Sequence, residues 1–264
     1  MMRFINHEIF KRSVTVYIVE EFVDQIDTFF SMFYITKESI GYTNVGTFIL
    51  NIKKAYVQLV FNDITYIFGS VMESCVFIAD AIQVLFSVSI VGNYHGAMCL
   101  DKNGKAIAFI AKSMAGKTTL NMFLCKNGYK YLSDDIILIN DMLKVIPMPV
   151  AVKIRRGILY DDPYYQRFTS YKNKDYKVLT GLGENIAQFE YNLKSIVFLY
   201  RGNQLDIHSM TSSELLISLL PNVFHVNDWT NQLLFSKRLA KQIHGYNLYY
   251  DKLDKELLMR LSEL

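Results

Sequence analysis

The residues best suited to chemistry in this sequence are a lysine and a threonine that follow a glycine at the start of an expected helix. Residues 111–118 read Ala-Lys-Ser-Met-Ala-Gly-Lys-Thr. This pattern is a relaxed form of the phosphate-binding loop GxxxxGK[ST], with alanine at the first glycine. The backbone N–H groups of such a loop and the first helical turn converge on phosphate oxygens. Lys117 is expected to reach the β- and γ-phosphates, and the Thr118 hydroxyl to bind Mg²⁺.

The loop departs from the usual pattern at two positions. Ala111 fits if its φ stays negative, because only a positive φ demands glycine. Met114 is expected to place a bulky side chain inside the loop. Gly116 is expected to be required because a side chain there would collide with the phosphate chain. The predicted nucleotide-binding residues are Ala111, Lys112, Ser113, Met114, Ala115, Gly116, Lys117, Thr118 and Thr119.

An acidic pair, Asp134-Asp135, lies 17 and 18 residues after Lys117. P-loop enzymes place a carboxylate that serves Mg²⁺ or the attacking group at a strand end beside the loop. Adjacent side chains of an extended chain point to opposite sides, so one carboxylate is able to hold the metal while the other accepts a proton. The alternative is a solvated Ser-Asp-Asp turn. His95, which precedes a glycine upstream of the loop, is on its own more typical of a structural histidine.

These residues need a strand and a helix to position them. The apolar run 106–110 suits a strand buried on both faces, and an amphipathic helix follows the loop. Gly128 is expected to end this helix. A second apolar run, 136–139, follows the acidic pair. Strand, loop, helix and strand is the order that a nucleotide-binding βαβ unit requires.

Other elements are expected along the rest of the chain. They are β-rich runs at 14–19 and 55–61, a buried helix at 77–86, a strand at 193–200, helices at 213–220 and 229–243, a strand at 247–250, and a last helix that Asp254 caps.

Composition excludes several classes of protein. With 51% hydrophobic and 20% charged residues in 264, the chain is not intrinsically disordered, and its net charge of +3 does not indicate a nucleic-acid binder. Three scattered cysteines and five scattered histidines predict no zinc site and a reducing compartment. The uncharged stretch 81–94 has 14 residues, short of the ~18–20 that cross a bilayer, and no signal peptide is recognised. A cytoplasmic protein without a membrane span is expected.

At these candidate functional residues the sequence resembles the HPr kinase/phosphorylase family and related P-loop kinases. HPr kinases carry an HG dipeptide, a GxSGxGKS loop and an (A/S)DD acidic pair in this order. Here the matching blocks are His95-Gly96, the loop 111–118, Gly128 and residues 132–135. The match covers roughly residues 93–140 and continues more loosely to the end, as in the HPr kinase-like proteins of peptide natural-product clusters.

This resemblance implies a phosphoenolpyruvate-carboxykinase-like α/β fold, with a P-loop core and a mixed sheet flanked by helices. It implies that Lys117 binds phosphate, that Thr118 and Asp134 hold Mg²⁺, that Asp135 accepts the proton, and that His95 supports Asp135. The cofactors implied are ATP or GTP with Mg²⁺. Residues 1–92 do not look like the receiver segment of HPr kinases, so HPr itself is not the expected acceptor. They are interpreted as an N-terminal α/β segment packed on or continuous with a core at 93–264.

The sequence therefore predicts a kinase that transfers the γ-phosphate to a serine or threonine hydroxyl of a peptide or protein, such as a ribosomal natural-product precursor. A small-molecule kinase and a nucleotide-binding regulatory or docking protein with weak or no transfer are the alternatives. A switch GTPase is disfavoured for two reasons. No DxxG motif follows the loop, and residues 173–176 depart from the guanine-binding motif NKxD because Tyr176 stands where the motif has aspartate. A homo-oligomer is left open.

Overall fold

The computed structural model describes residues 1–264 except 32, 39, 89, 158, 173–174 and 183–188. The first two residues of the tetrapeptide at 173–176 therefore lie outside the described part. The chain divides into two compact units, Met1–Val88 with Pro149–Gln188, and Ser89–Met148 with Phe189–Leu264. Each unit contains both strands and helices, which agrees with the predicted α/β class.

The elements are numbered here in chain order. The strands are β1 (Met2–His7), β2 (Arg12–Tyr17), β3 (Tyr34–Thr36), β4 (Thr43–Ile52), β5 (Val57–Phe61), β6 (Ile64–Phe68), β7 (Gly92–His95), β8 (Ala97–Leu100), β9 (Ala106–Ile110), β10 (Lys130–Ser133), β11 (Ile136–Ile139), β12 (Lys144–Ile146), β13 (Val152–Arg155), β14 (Thr169–Lys172), β15 (Tyr176–Leu179), β16 (Tyr191–Arg201), β17 (Asp206–Met210) and β18 (His244–Tyr250). The helices are α1 (Val23–Phe29), α2 (Val71–Ser87), α3 (Lys117–Lys126), α4 (Ser212–Leu219), α5 (Trp229–Gln242) and α6 (Lys255–Glu263).

The first unit is built on a mixed sheet whose strand order in the described part is β3-β1-β2-β4-β5-β6. Helix α2 contacts β4, β5 and β6 and buries one face completely, with Ile78, Ile82 and Phe86 inaccessible to solvent. Ser70 caps this helix, since its hydroxyl accepts a hydrogen bond of 3.2 Å from the Glu73 backbone N–H. The buried helix predicted at 77–86 is confirmed, and it begins earlier than predicted, at Val71.

Residues 149–188 belong to the first unit, although the sequence groups them with the P-loop core. Their strands β13, β15 and β14 form a separate small antiparallel sheet. Lys153 of β13 pairs with Asp80 of α2 at 2.8 Å, and the Tyr171 hydroxyl donates to Glu73 at 3.3 Å. These contacts join partners 73 and 98 residues apart in the chain.

The second unit contains a mixed sheet in which β9, β16 and β18 run parallel. β8 pairs antiparallel with β9, and β17 pairs antiparallel with β18. The amino end of β16 also pairs with β12, and β12 is followed by β11 and β7. Because the three parallel strands point the same way, their carboxyl ends meet at one edge of the sheet, and ligands of α/β sheets bind at such an edge.

The strand that follows the loop helix is β10, which the sequence did not predict. Its sequence, Lys-Tyr-Leu-Ser, contains no apolar run like that of β11, and pairing with β8 defines it. β11 at Ile136–Ile139 has the bounds that were predicted, but it pairs with β7 and β12. The expected order of strand, loop, helix and strand is thus present with β10 as the second strand, and the acidic pair lies between β10 and β11.

Helices α3 and α6 share one buried cluster with the parallel strands. Leu120 and Leu124 of α3 and Leu257 and Leu261 of α6 pack there with Phe109 of β9. Each such side chain contributes roughly 1.5–3 kcal/mol when fully buried, so this cluster fixes α3 against β9.

The predicted ends of both helices are confirmed. Gly128 follows the end of α3 with φ +94°, and the Asp254 carboxylate caps α6 by accepting from the Leu257 N–H at 3.0 Å. Among the described helices, none is both long and apolar enough to cross a membrane.

Candidate active site

The loop 111–116 connects the carboxyl end of β9 to the amino end of α3. Two of its residues have positive φ, Met114 at +65° and Gly116 at +98°, whereas Ala111 does not, as expected. The Leu120 N–H donates to the Gly116 carbonyl at 2.8 Å and closes the first helical turn. The Met114 side chain is 85% exposed, so the expectation that it fills the loop is wrong. Its left-handed backbone turns the side chain towards solvent.

Lys117 bends back over the loop from the first turn of α3. Its Nζ donates a hydrogen bond of 2.8 Å to the Ala111 carbonyl, and the residue is 7% exposed. Burial lowers the pKa of this ammonium group, while Asp134 and Asp135 favour its charged form. The loop therefore holds a buried cation next to the amino terminus of a helix, an arrangement that is able to bind an anion.

The next residue of α3, Thr118, contacts the acidic pair. Its Oγ1 donates a hydrogen bond of 2.8 Å to Oδ2 of Asp134. Asp134 is 5% exposed, and its other oxygen, Oδ1, is buried without a hydrogen-bond partner among the described residues. Burial and then the charge of Asp135 raise the pKa of the Asp134 carboxyl, although Thr118 and Lys117 favour its ionised form. The structure thus places the Thr118 hydroxyl beside a carboxylate that has one oxygen without a hydrogen-bond partner among the described residues.

A tight turn between β10 and β11 separates the two carboxylates. Ser133 Oγ donates to the Ile136 carbonyl at 2.6 Å, and Asn121 Nδ2 of α3 donates to the Ser133 carbonyl at 3.0 Å. Asp134 faces inward, whereas Asp135 is exposed and adopts a left-handed φ of +68°. The two carboxylates therefore lie in different environments, as expected. The cause is a strained turn, whereas an extended chain was expected.

His95 ends β7, and its backbone pairs with Ile136 directly after the acidic pair. Burial and the positive charge of Lys117 lower the pKa of the imidazole, while the charge of Asp135 and a hydrogen bond with the Asp135 backbone oppose that shift. His95 therefore lies within electrostatic range of both Lys117 and Asp135. Antiparallel pairing of β7 with β11 creates this placement, and no residue next to His95 in the sequence indicates it.

Two residues beside the loop, Arg201 and Tyr250, were not predicted from the sequence. A Cβ atom on Gly116 would lie 2.9 Å from Tyr250 Oη and 3.1 Å from Arg201 Nη2. These two side chains and the positive φ explain why position 116 requires glycine. The expected collision with phosphate is not needed to explain it. Arg201 directly follows the apolar run of β16, and a charged residue at a strand end beside the loop is the signal that could have identified it.

Comparison with known proteins shows no family for this chain. No family model matches the chain, and no curated protein matches it. A solved structure that does match is the Hpr(Ser) kinase/phosphatase from Coxiella burnetii, with 10% sequence identity and a TM-score of 0.30. The match covers 65% of this chain and 92% of the other. A TM-score of 0.30 does not establish a shared fold.

The residues present fit a magnesium ion. The described residues include no cluster of three or more histidine, cysteine, aspartate or glutamate side chains. Mg²⁺ needs no such cluster, because it keeps several waters and binds one or two protein oxygens together with substrate phosphates. Thr118 Oγ1 and the unpartnered Oδ1 of Asp134 are hard oxygen donors of this kind. Mg²⁺ would also neutralise part of the charge that makes burial of Asp134 unfavourable.

Proposed function

We propose that the chain is a nucleotide-dependent kinase that transfers the γ-phosphate of ATP or GTP to a hydroxyl group of a peptide or protein. The observation that carries this proposal is the hydrogen bond of 2.8 Å between Thr118 and Asp134, which joins the candidate phosphate loop to the acidic pair. A loop that only capped a helix would not need a buried carboxylate at its first turn. The combination is what phosphoryl transfer requires: a cradle for phosphate, a metal ligand and a base.

The loop side of the site binds and orients the nucleotide. The backbone N–H groups at the amino end of α3 donate hydrogen bonds to the β- and γ-phosphates, and the Lys117 ammonium neutralises part of their charge. Thr118 and Asp134 would hold Mg²⁺, and the ion when bound would supply positive charge beside the phosphate oxygens. Ala111 has a compatible φ and Met114 is turned to solvent, so neither departure from the usual loop pattern obstructs this binding.

The acceptor side of the site is formed by Asp135 and His95. Asp135 is exposed, so the hydroxyl of an incoming acceptor is able to reach its carboxylate. The hydroxyl oxygen attacks the γ-phosphorus as its proton passes to Asp135, and the bond between the γ-phosphorus and the bridging oxygen breaks to release the nucleoside diphosphate. His95 contacts the Asp135 backbone and orients the carboxylate. Positioning and charge stabilisation supply most of the rate.

The proposal is tested by incubating the purified chain with Mg²⁺ and γ-labelled ATP or GTP and a library of serine- and threonine-containing peptides. A gain of one phosphate on a peptide, detected by mass spectrometry, is the expected product. Asp135→Asn should lower the transfer rate by about 10²–10⁴-fold with nucleotide affinity retained, because it removes a general base. Asp141→Asn, which changes an exposed carboxylate, is the matched control.

Three outcomes would contradict the proposal in different ways. Unchanged transfer by Asp135→Asn would refute the assignment of the base. Tight binding of nucleotide with no transfer to any peptide would favour the alternative, a nucleotide-binding regulatory protein. Transfer to a small alcohol and to no peptide would favour a small-molecule kinase.

A further inference from the structure

Arg201 and Tyr250 end two neighbouring parallel strands and meet at the loop glycine. The backbones of the two residues are paired across β16 and β18, and the Arg201 guanidinium lies 5.0 Å from the centre of the Tyr250 ring. Both side chains reach Gly116, as the distances of 2.9 and 3.1 Å from the position of its absent Cβ show. They therefore flank the residue that immediately precedes Lys117, at the amino end of α3.

Both side chains have hydrogen-bond donors that the described protein does not use. Tyr250 is 1% exposed, and its Oη is buried without a hydrogen-bond partner. Leaving such a hydroxyl unsatisfied costs about 1–3 kcal/mol, so a buried phenol of this kind is normally paired. Among the described residues, Arg201 donates one hydrogen bond, from Nη1 to the Asp251 carbonyl at 3.3 Å, and forms no ion pair with a carboxylate. Its remaining N–H groups, including those of the Nη2 beside Gly116, are donors for an anion.

We propose that Arg201 and Tyr250 bind a phosphate group of the nucleotide on the Gly116 side of the loop. The proposal deepens the function proposed above and depends on it. Phosphate oxygens accept hydrogen bonds from a phenol and from a planar guanidinium, and the Arg201 guanidinium lies over the Tyr250 ring. The phosphate chain would then be held by Lys117 and the backbone N–H groups on one side and by Arg201 and Tyr250 on the other.

The test measures binding, and it separates recognition of phosphate from recognition of the base. Affinity for MgATP and for inorganic tripolyphosphate is measured by calorimetry in the wild-type chain, Arg201→Gln and Tyr250→Phe. Arg201→Gln loses a charge-assisted contact, so its affinity for both ligands should fall about 10- to 100-fold. Tyr250→Phe loses a neutral hydrogen bond, so its affinity for both ligands should fall about 3- to 10-fold. The controls are Arg260→Gln, on the exposed side of α6, and Tyr249→Phe, whose ring stacks on Tyr200.

Thermal unfolding of the same variants separates binding from folding. Tyr250→Phe keeps the ring and removes a buried hydroxyl that has no partner, so its melting temperature should be unchanged or higher while its affinity falls. A lower melting temperature with unchanged affinity would show that Tyr250 is structural and would overturn the proposal. Weaker ATP binding with unchanged tripolyphosphate binding would show contact with the base, which also overturns it.

The outcome distinguishes this proposal from the one it depends on. If the wild-type chain binds both ligands and Lys117→Ala does not, but Arg201→Gln and Tyr250→Phe bind normally, only the role of Arg201 and Tyr250 is refuted. If the wild-type chain binds neither ligand, the nucleotide site itself is refuted, and this proposal with it.

Discussion

Thr118 Oγ1 donates a hydrogen bond of 2.8 Å to Asp134 Oδ2, across 16 residues of sequence. This bond fixes the distance between the first turn of α3 and the turn that joins β10 to β11. The other carboxylate oxygen has no hydrogen-bond partner among the described residues. Hard divalent cations bind oxygen ligands, and the Thr118 hydroxyl and the free carboxylate oxygen of Asp134 are ligands of this kind.

Thr118→Val should remove the effect of Mg²⁺ on nucleotide binding. The wild-type chain is expected to bind ATP more tightly with Mg²⁺ than with EDTA, because the metal links the phosphates to Thr118 and Asp134. In Thr118→Val the two affinities should become similar, whereas the exposed Thr230→Val should behave as wild type. Affinity is measured by titration with a fluorescent ATP analogue, and a full Mg²⁺ effect in Thr118→Val would contradict the metal site.

Asp134→Asn should change how stability depends on pH. Burial and the charge of Asp135 raise the pKa of the Asp134 carboxyl above its ordinary 3.8, so the folded chain keeps a proton that the unfolded chain has lost. The free energy of unfolding contributed by this group therefore falls as pH rises from about 4 through the raised pKa. In metal-free buffer Asp134→Asn should flatten this decline and exceed the wild type in stability at about pH 8.

Denaturant unfolding at several pH values measures this effect. Asp141→Asn is the control, since its side chain is 88% exposed and its pair with Arg238 at 3.5 Å is a surface contact of little energetic weight. The same pH slope in Asp134→Asn and in the wild type would show that Asp134 is not a buried, poorly compensated charge.

Gly116→Ala should destabilise the chain more than Gly104→Ala does. Both glycines have positive φ, +98° and +74°, so each alanine pays a backbone cost of roughly 1–2 kcal/mol. At Gly104 nothing lies within 4 Å of an added Cβ, whereas at Gly116 the Tyr250 hydroxyl lies 2.9 Å away. The added crowding should cost Gly116→Ala about 1 kcal/mol more in the free energy of unfolding. Equal losses of unfolding free energy in the two variants would show that the Tyr250 and Arg201 side chains move away from the added methyl group without cost.

The cysteine thiols should be unreactive in the folded chain. Cys75, Cys99 and Cys125 are buried, and burial raises the pKa of each thiol, that of Cys125 to about 12. Because the thiolate is the reactive form, a thiol reagent should modify none of the three in native buffer and all three after denaturation. Ser213→Cys, at an exposed position, should add one fast-reacting thiol. Rapid modification of a native cysteine in the wild type would contradict the packing described.

Features encoded within a short stretch of sequence were predictable. β9 and β11 have the bounds that their apolar runs indicate, because four or five consecutive apolar residues suit a strand buried on both faces. Gly128 and Asp254 mark helix ends through local backbone and side-chain hydrogen bonds. The composition of the loop, Gly-Lys-Thr after a strand, likewise indicated a helix amino terminus built for an anion.

Features that depend on distant partners were not predictable. β10 exists as a strand because β8 lies beside it, and His95 approaches Asp135 through the pairing of β7 with β11. Arg201 and Tyr250 reach the loop because β16 and β18 are parallel to β9, a topology that a single sequence does not reveal. The direction of the Met114 side chain depends on one backbone angle, and no residue type specifies that angle.

The most direct test of the account is nucleotide binding by Lys117→Ala. The buried Lys117 ammonium is placed at the phosphate loop, so its loss should weaken MgATP binding by at least about 100-fold and abolish phosphoryl transfer. Lys126→Ala, which removes an exposed lysine from the last turn of the same helix, should bind as the wild type does. Wild-type affinity for MgATP in a folded Lys117→Ala chain would contradict the phosphate loop and the kinase proposal together.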